Sequence, residues 1–136
     1  MRWLERYSAA TFAVLRIVAG LLFACHGAQK LFGALGGQVA TEPLMQVAGV
    51  IELVGGVAIA VGLLTSWMAF LASGMMAVAY FMAHAPQGFW PIQNHGELAA
   101  LYSFLFLFIA ARGAGGWSLD AYLQRNRAPV SRARAA

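Results

Sequence analysis

Four long apolar runs fill most of the chain and leave little sequence between them. They cover about residues 11–32, 44–64, 67–85 and 97–112. A helix that crosses a bilayer needs about 20 mostly apolar residues. Hydrophobic residues make up 61% of the chain and charged residues only 10%, against about a quarter charged in soluble domains. The sequence therefore predicts an all-α integral membrane protein, a four-transmembrane-helix bundle whose last span is short.

The connections between these runs are too short to hold an extramembrane catalytic domain. We therefore expect a single membrane domain over residues 1–123. Ser118 is expected to cap a short interfacial helix over residues 118–125. The basic segment 124–136 is predicted to be a disordered tail.

Arginines are concentrated on the side of the two termini. Arg2 and Arg6 precede the first run. Five more arginines lie at or after the end of the fourth run, namely Arg112, Arg125, Arg127, Arg132 and Arg134. At the other side only Lys30 lies at a helix end. Because cytoplasmic segments carry the excess of basic residues, both termini are predicted to be cytoplasmic, in the inner (plasma) membrane. The net charge of +4 is thus a topology signal, and no nucleic-acid binding is expected.

The first run carries ionisable residues along one side. At about 100° per residue, Arg16, Gly20, Gly27 and Lys30 fall within a stripe roughly 80° wide, with His26 at its edge. Ionisable groups inside a membrane usually face the bundle interior, and glycines allow a second helix to approach closely. We therefore expect this stripe to face the other helices.

Polar residues of the other runs belong near the same end as Lys30. At about 1.5 Å per residue, His26 lies roughly 9 Å and Glu52 roughly 12 Å inside the outer ends of their helices. We predict one outward-facing polar pocket built from His26, Lys30, Glu52, His84, His95 and Glu97. Its acids, lysine and histidines can nearly neutralise one another. The alternative is that Glu52 only forms a structural ion pair with Arg16 or Lys30.

Arg16 lies about 21 Å below Lys30 along the helix. It is expected to be a structural charge, either snorkelling or donating hydrogen bonds to carbonyls of a neighbouring helix. Cys25 is the single cysteine, which excludes an internal disulfide and an all-cysteine metal site. No metal site is predicted, whereas the similar depth of His26 and His84 leaves a b-type haem open.

Several short motifs, in this order on four helices, resemble those of the DoxX family. They are Arg16 and Gly20 followed by His26-Gly27 and Lys30-Leu31, then Glu52-Leu53 with Gly55-Gly56 and Gly62-Leu63-Leu64-Thr65, then His84, Asn94-His95-Gly96-Glu97-Leu98-Ala99 and Trp117-Ser118-Leu119-Asp120. The resemblance covers about residues 11–123. It implies a four-helix inner-membrane protein of bacteria or archaea. Some members are associated with quinone-linked oxidoreductases, including thiosulfate:quinone oxidoreductase, and with thiol or oxidative stress.

Three functions follow as hypotheses. The first is a quinone-interacting or accessory membrane subunit of an oxidoreductase system, with quinone as the expected cofactor and an oxidoreductase subunit as partner beside the lipid bilayer. Any enzymatic role is at most that of such a subunit. The second is a non-catalytic scaffold that anchors redox partners. The third is a small-solute or proton pathway, for which four spans would require a homo-oligomer.

Overall fold

Helices account for all the regular structure in residues 2–127, the part of the chain that the computed structural model describes. In chain order they are α1 (Arg2–Glu5), α2 (Ser8–Phe32), α3 (Pro43–Val61), α4 (Thr65–Gln87), α5 (Glu97–Arg112) and α6 (Leu119–Arg127). The first four residues of the expected tail, 124–127, are helical and belong to α6. The rest of that tail lies outside the described residues.

Three helices, α2, α3 and α4, are long and apolar enough to cross a membrane. The prediction of an all-helical membrane protein is therefore confirmed. Helix α5 has 16 residues, which at about 1.5 Å per residue spans about 24 Å. The fourth span and the orientation of the termini stay predictions.

Two helices contain a wider, π-helical turn. In α3 this turn is Ile51–Gly55, and in α4 it is Tyr80–His84, followed by a 3₁₀ turn at Ala85–Gln87. Such turns are rare and often lie at functional sites. The turn in α4 occurs at the same end of the bundle as Lys30, which we call the Lys30 end; the opposite end is the Arg16 end. The turn in α3 lies in the middle of that helix.

Helices α2 and α3 pack with their backbones in contact along the predicted glycine stripe. A Cβ atom added at Gly20 would lie 2.6 Å from the Gly56 carbonyl oxygen and the Ala60 nitrogen, and one added at Gly27 would collide with Leu53. Gly56 is equally close to Ala24. Only glycine permits this approach, so these residues set the distance between the two helices.

Helices α4 and α5 form a second close pair. Small side chains are buried between them, among them Ala69, Ala72 and Ala99. The Ser73 hydroxyl donates a hydrogen bond of 2.8 Å to the Ser103 carbonyl oxygen. The bundle thus consists of two tight helix pairs, α2–α3 and α4–α5.

Large side chains fill the space between the two pairs in the middle of the bundle. Phe23 of α2 packs against Phe106 of α5 with ring centroids 4.8 Å apart, and Tyr102 stacks on Phe106 at 5.2 Å. Ile59 and Ile109 are also fully buried in this core. Toward the Lys30 end this filling stops, because the contacts of α3 with α4 are concentrated on residues 51–61 and do not extend along Pro43–Val50 to the same degree.

Candidate functional site

A cavity of about 440 Å³ lies at the Lys30 end, between the two helix pairs. Five of the six residues predicted for the polar pocket line it, namely His26, Lys30, Glu52, His84 and His95. The sixth, Glu97, has an exposed side chain at the start of α5 and is not part of the lining. The polar lining of the cavity therefore comes from α2, α3, α4 and the α4–α5 connection.

The remaining wall of the cavity is apolar. Phe23 and Tyr102 of the aromatic core line it on the side of the Arg16 end, and four methionines line it further out, namely Met45, Met75, Met76 and Met82. Methionine is flexible and polarisable, so it adapts to ligands of irregular shape. The cavity therefore combines a polar cluster with an adaptable apolar surface.

An ion pair between Lys30 and Glu52 joins α2 to α3 inside the cavity. The Lys30 Nζ atom lies 2.5 Å from Glu52 Oε1, and the two side chains are 31% and 5% exposed. The other carboxylate oxygen, Oε2, is buried and has no hydrogen-bond partner among the described residues. Of the two structural pairings expected for Glu52, the structure contains the one with Lys30.

The π-helical turns carry two of the cavity's polar residues. Glu52 lies in the turn of α3 and His84 ends the turn of α4. A π-helical turn holds more residues than an α-helical turn and so changes the direction in which side chains project. Both helices thus depart from regular α-helix where they present ionisable groups to the cavity.

The connection between α4 and α5 is organised by Asn94, which sequence reasoning did not single out as a buried residue. Asn94 is 1% exposed; its amide nitrogen donates to the Gly88 carbonyl oxygen at 2.8 Å, and its side-chain oxygen accepts from the Gly96 nitrogen at 2.8 Å. His84 Nδ1 lies 3.0 Å from the Asn94 carbonyl oxygen. Because a carbonyl only accepts, Nδ1 carries the proton, and in the neutral ring Nε2 is an acceptor.

Exposed apolar side chains border the cavity between α3 and α4. They are Leu44 and Met45 on α3 and Val78 and Met82 on α4, all of which also contribute to the lining. Since the two helices separate toward this end, the cavity opens sideways between them. In a bilayer this opening would face lipid.

Arg16 lies at the other end and takes no part in the cavity. Its side chain is fully buried, and its guanidinium donates hydrogen bonds to the carbonyl oxygens of Ile59, of Ala60 at 2.7 Å and of Trp117 at 2.7 Å. Of the two roles expected for Arg16, the structure contains the hydrogen-bonded one. Arg16 thereby fastens α3 and the segment before α6 to α2.

Asp120 completes this end; sequence analysis placed it in a family motif but assigned it no structural role. Its carboxylate accepts hydrogen bonds from the backbone nitrogens of Leu64 at 2.9 Å and Thr65 at 3.0 Å, at the start of α4. Partial burial acts to raise the pKa of Asp120, but the hydrogen bonds from Thr65 and Leu64 prevail, so this pKa lies below its usual value. Two residues before Asp120, the Ser118 hydroxyl oxygen accepts a hydrogen bond from the Ala121 nitrogen at the start of α6.

Within residues 2–127, no group of three or more histidine, cysteine, aspartate or glutamate side chains is arranged to hold a metal ion. Cys25 is exposed on the outside of α2.

Comparison with known proteins places these features in a family. The sequence model of DoxX matches residues 11–85, which contain α3 and most of α2 and α4. The chain belongs to the DoxX family. An uncharacterized protein of Haemophilus influenzae is 45% identical to this DoxX chain over 128 residues, covering 88% of the chain and 96% of the relative. No solved structure matches it significantly.

Proposed function

We propose that this DoxX protein is the quinone-interacting membrane subunit of an oxidoreductase system concerned with thiol, sulfur or oxidative-stress chemistry. The observation that carries the proposal is the cavity between the helix pairs, polar at one side and apolar elsewhere, with an opening between α3 and α4. A lipid-soluble quinone has a matching structure, because its ring carries polar carbonyl groups and its tail is apolar. Family membership supports the redox assignment.

The size and chemistry of the cavity suit such a ligand. A volume of about 440 Å³ falls within the range of small-molecule sites, about 300–1,000 Å³. Quinone carbonyls accept hydrogen bonds, which His26, His95 and the remaining N–H groups of Lys30 can donate. A bound quinone would supply the two-electron redox chemistry.

The residues of this chain would position the ring and handle protons. Glu52 and His84 line the cavity, and their side chains can each hold or release a proton. In the proposed orientation, both termini are cytoplasmic and the cavity lies toward the opposite face of the plasma membrane. The partner oxidoreductase subunit would then supply or accept electrons.

A scaffold role is the second candidate, favoured by the C-terminal helix. Helix α6 is tied to the bundle through Asp120 and the Arg16–Trp117 hydrogen bond, and it exposes Tyr122 and Arg125. A rigidly held, basic, amphipathic helix can present a constant surface to a soluble partner. A solute pathway has less support, because Phe23 and Tyr102 close the cavity toward the Arg16 end.

Ligand binding by the purified protein in lipid nanodiscs tests the proposal. We expect decylbenzoquinone to bind, and His26→Ala to weaken binding about tenfold, the effect of losing one hydrogen bond of about 1.4 kcal/mol. Cys25→Ala is the matched control, since Cys25 is the neighbouring residue but lies outside the cavity. If no quinone binds and His26→Ala changes nothing, the proposal is wrong.

The same preparation separates the other candidates. On the scaffold hypothesis, deletion of residues 124–136 abolishes co-purification of partner proteins without altering ligand binding. A haem held by His26 and His84 would give a Soret absorption band.

A further inference from the structure

The unpartnered oxygen of Glu52 points to a preference between the two redox forms of the ligand. We infer that the cavity binds the reduced, hydroquinone form more tightly than the quinone, because Glu52 Oε2 accepts a hydrogen bond from a ligand hydroxyl. This inference rests on the proposed function, and it identifies Glu52 as the residue that discriminates between the two forms.

Glu52 is more deeply buried than Lys30, and this difference decides which of the two side chains lacks a hydrogen-bond partner. Lys30 keeps two further N–H donors, but its side chain is 31% exposed, so water can satisfy them. Glu52 Oε2 is buried and has no partner among the described residues. A buried acceptor without a donor is costly, and more so when it is charged. The unmet requirement at this site is therefore a donor supplied by the ligand.

A second acceptor lies in the same cavity. His84 Nδ1 donates to the Asn94 carbonyl oxygen, so Nε2 of the neutral ring accepts. A hydroquinone has two hydroxyl donors for these two acceptors, whereas a quinone has two carbonyl oxygens that cannot donate. His26 and His95, as neutral rings, each offer one donor and one acceptor and so do not distinguish the two forms.

Glu52 can form a hydrogen bond to a ligand while it keeps its ion pair with Lys30. The last torsion of a glutamate side chain is soft, so the carboxylate can turn Oε2 toward the cavity while the flexible Lys30 side chain follows Oε1. The resulting hydrogen bond would be charge-assisted, which makes it roughly twice as strong as a neutral one.

Binding of three probes to the unmodified protein tests this inference. They are decylbenzoquinone, its hydroquinone kept reduced under anaerobic conditions, and the dimethyl ether of that hydroquinone, which has no hydroxyl to donate. We expect the hydroquinone to bind at least about tenfold more tightly than the other two. For a two-electron couple, a tenfold preference raises the potential of the bound ligand by about 30 mV, which redox titration in nanodiscs would detect.

The variant Glu52→Gln removes the charge of the acceptor and should abolish most of the preference, measured as the ratio of the quinone and hydroquinone dissociation constants of the same variant. Cys25→Ala, outside the cavity, should keep the ratio of the unmodified protein. The probe series keeps the inference testable even if this variant does not fold. Equal binding of quinone and hydroquinone, or of hydroquinone and its ether, would overturn the inference and leave the proposed function standing. Failure of all three probes to bind would overturn both.

Discussion

Arg16 and Lys30, both on α2, differ in the groups that satisfy them. Lys30 pairs with a carboxylate inside a cavity, whereas Arg16 donates only to backbone carbonyl oxygens of α3 and of the segment before α6. A planar guanidinium can reach several acceptors in fixed directions. Arg16 therefore serves as a structural connection between three parts of the chain, and Lys30 belongs to the candidate site.

Replacing Arg16 with lysine tests this structural role. An ammonium group keeps the charge but cannot reach the Ala60 and Trp117 carbonyls from one position in the same geometry. We expect Arg16→Lys to lower the free energy of unfolding in detergent by about 3 kcal/mol, measured by circular dichroism during denaturation. Arg6→Lys, at an exposed position, is the control and should leave stability unchanged. Equal stability of both variants would contradict the role assigned to Arg16.

Sequence reasoning at the residue scale is most informative where helical geometry fixes the direction of the side chain. Depth and angular position along α2 and α3 were enough to place His26, Lys30 and Glu52 at one end. The same reasoning did not exclude Glu97, because a residue in the first turn of a helix can project outward. Nor did it find Asn94, since the burial of a loop residue depends on turns formed by several distant backbone groups.

Close packing of helix pairs depends on a few glycines rather than on all of them. Gly20, Gly27 and Gly56 lie where α2 and α3 touch, whereas Gly55 and Gly74 have no neighbouring atom within 4 Å of a Cβ position. The sequence predicted the stripe on α2 because periodicity reveals which residues share a face. It could not separate Gly55 from Gly56, because the π-helical turn alters the register there.

Alanine substitutions at Gly20 and Gly74 test the difference between a glycine in a helix contact and a glycine in open space. A Cβ atom at Gly20 would lie 2.6 Å from backbone atoms of α3, so the helices must separate. We expect Gly20→Ala to lower the free energy of unfolding by about 2 kcal/mol. Gly74→Ala meets open space and, as alanine is the better helix former, should leave stability unchanged or raise it by up to about 1 kcal/mol. If both variants unfold alike, close backbone packing does not hold α2 against α3.

The ends of the helices show a second limit of pattern reading. The second apolar run suggested a helix to residue 64, but α3 ends at Val61 because Gly62 takes a left-handed conformation with φ of 77°. An alanine there would also meet Ser118 and Arg16. A hydropathy profile does not reveal this break, because Leu63 and Leu64 after it are also apolar. The break coincides with contacts to the distant C-terminal segment, which the sequence pattern does not encode.

At the scale of the whole molecule, two tight helix pairs leave a cavity at one end and are fastened at the other. The shared turn of α3 and α4 is held by Arg16 and Asp120, and the aromatic core joins the pairs in the middle. The pairs are therefore free to separate only toward the Lys30 end. This arrangement explains why the ionisable residues gather there and why the opening lies between α3 and α4.

Whether α5 crosses the membrane decides whether the C-terminal segment lies on the same side as the N-terminus and opposite to the cavity, and site-specific labelling answers this. On a Cys25→Ala background, single cysteines would replace exposed Ser8 at the start of α2, exposed Gln93 between α4 and α5, and exposed Gly116 after α5. In spheroplasts, a membrane-impermeant maleimide should label the cysteine at 93 only, because basic termini stay in the cytoplasm. Permeabilised membranes, in which all three should react, provide the control. Labelling at both 93 and 116 in intact spheroplasts would mean that α5 returns to the side from which it started, and that the chain has three spans rather than four.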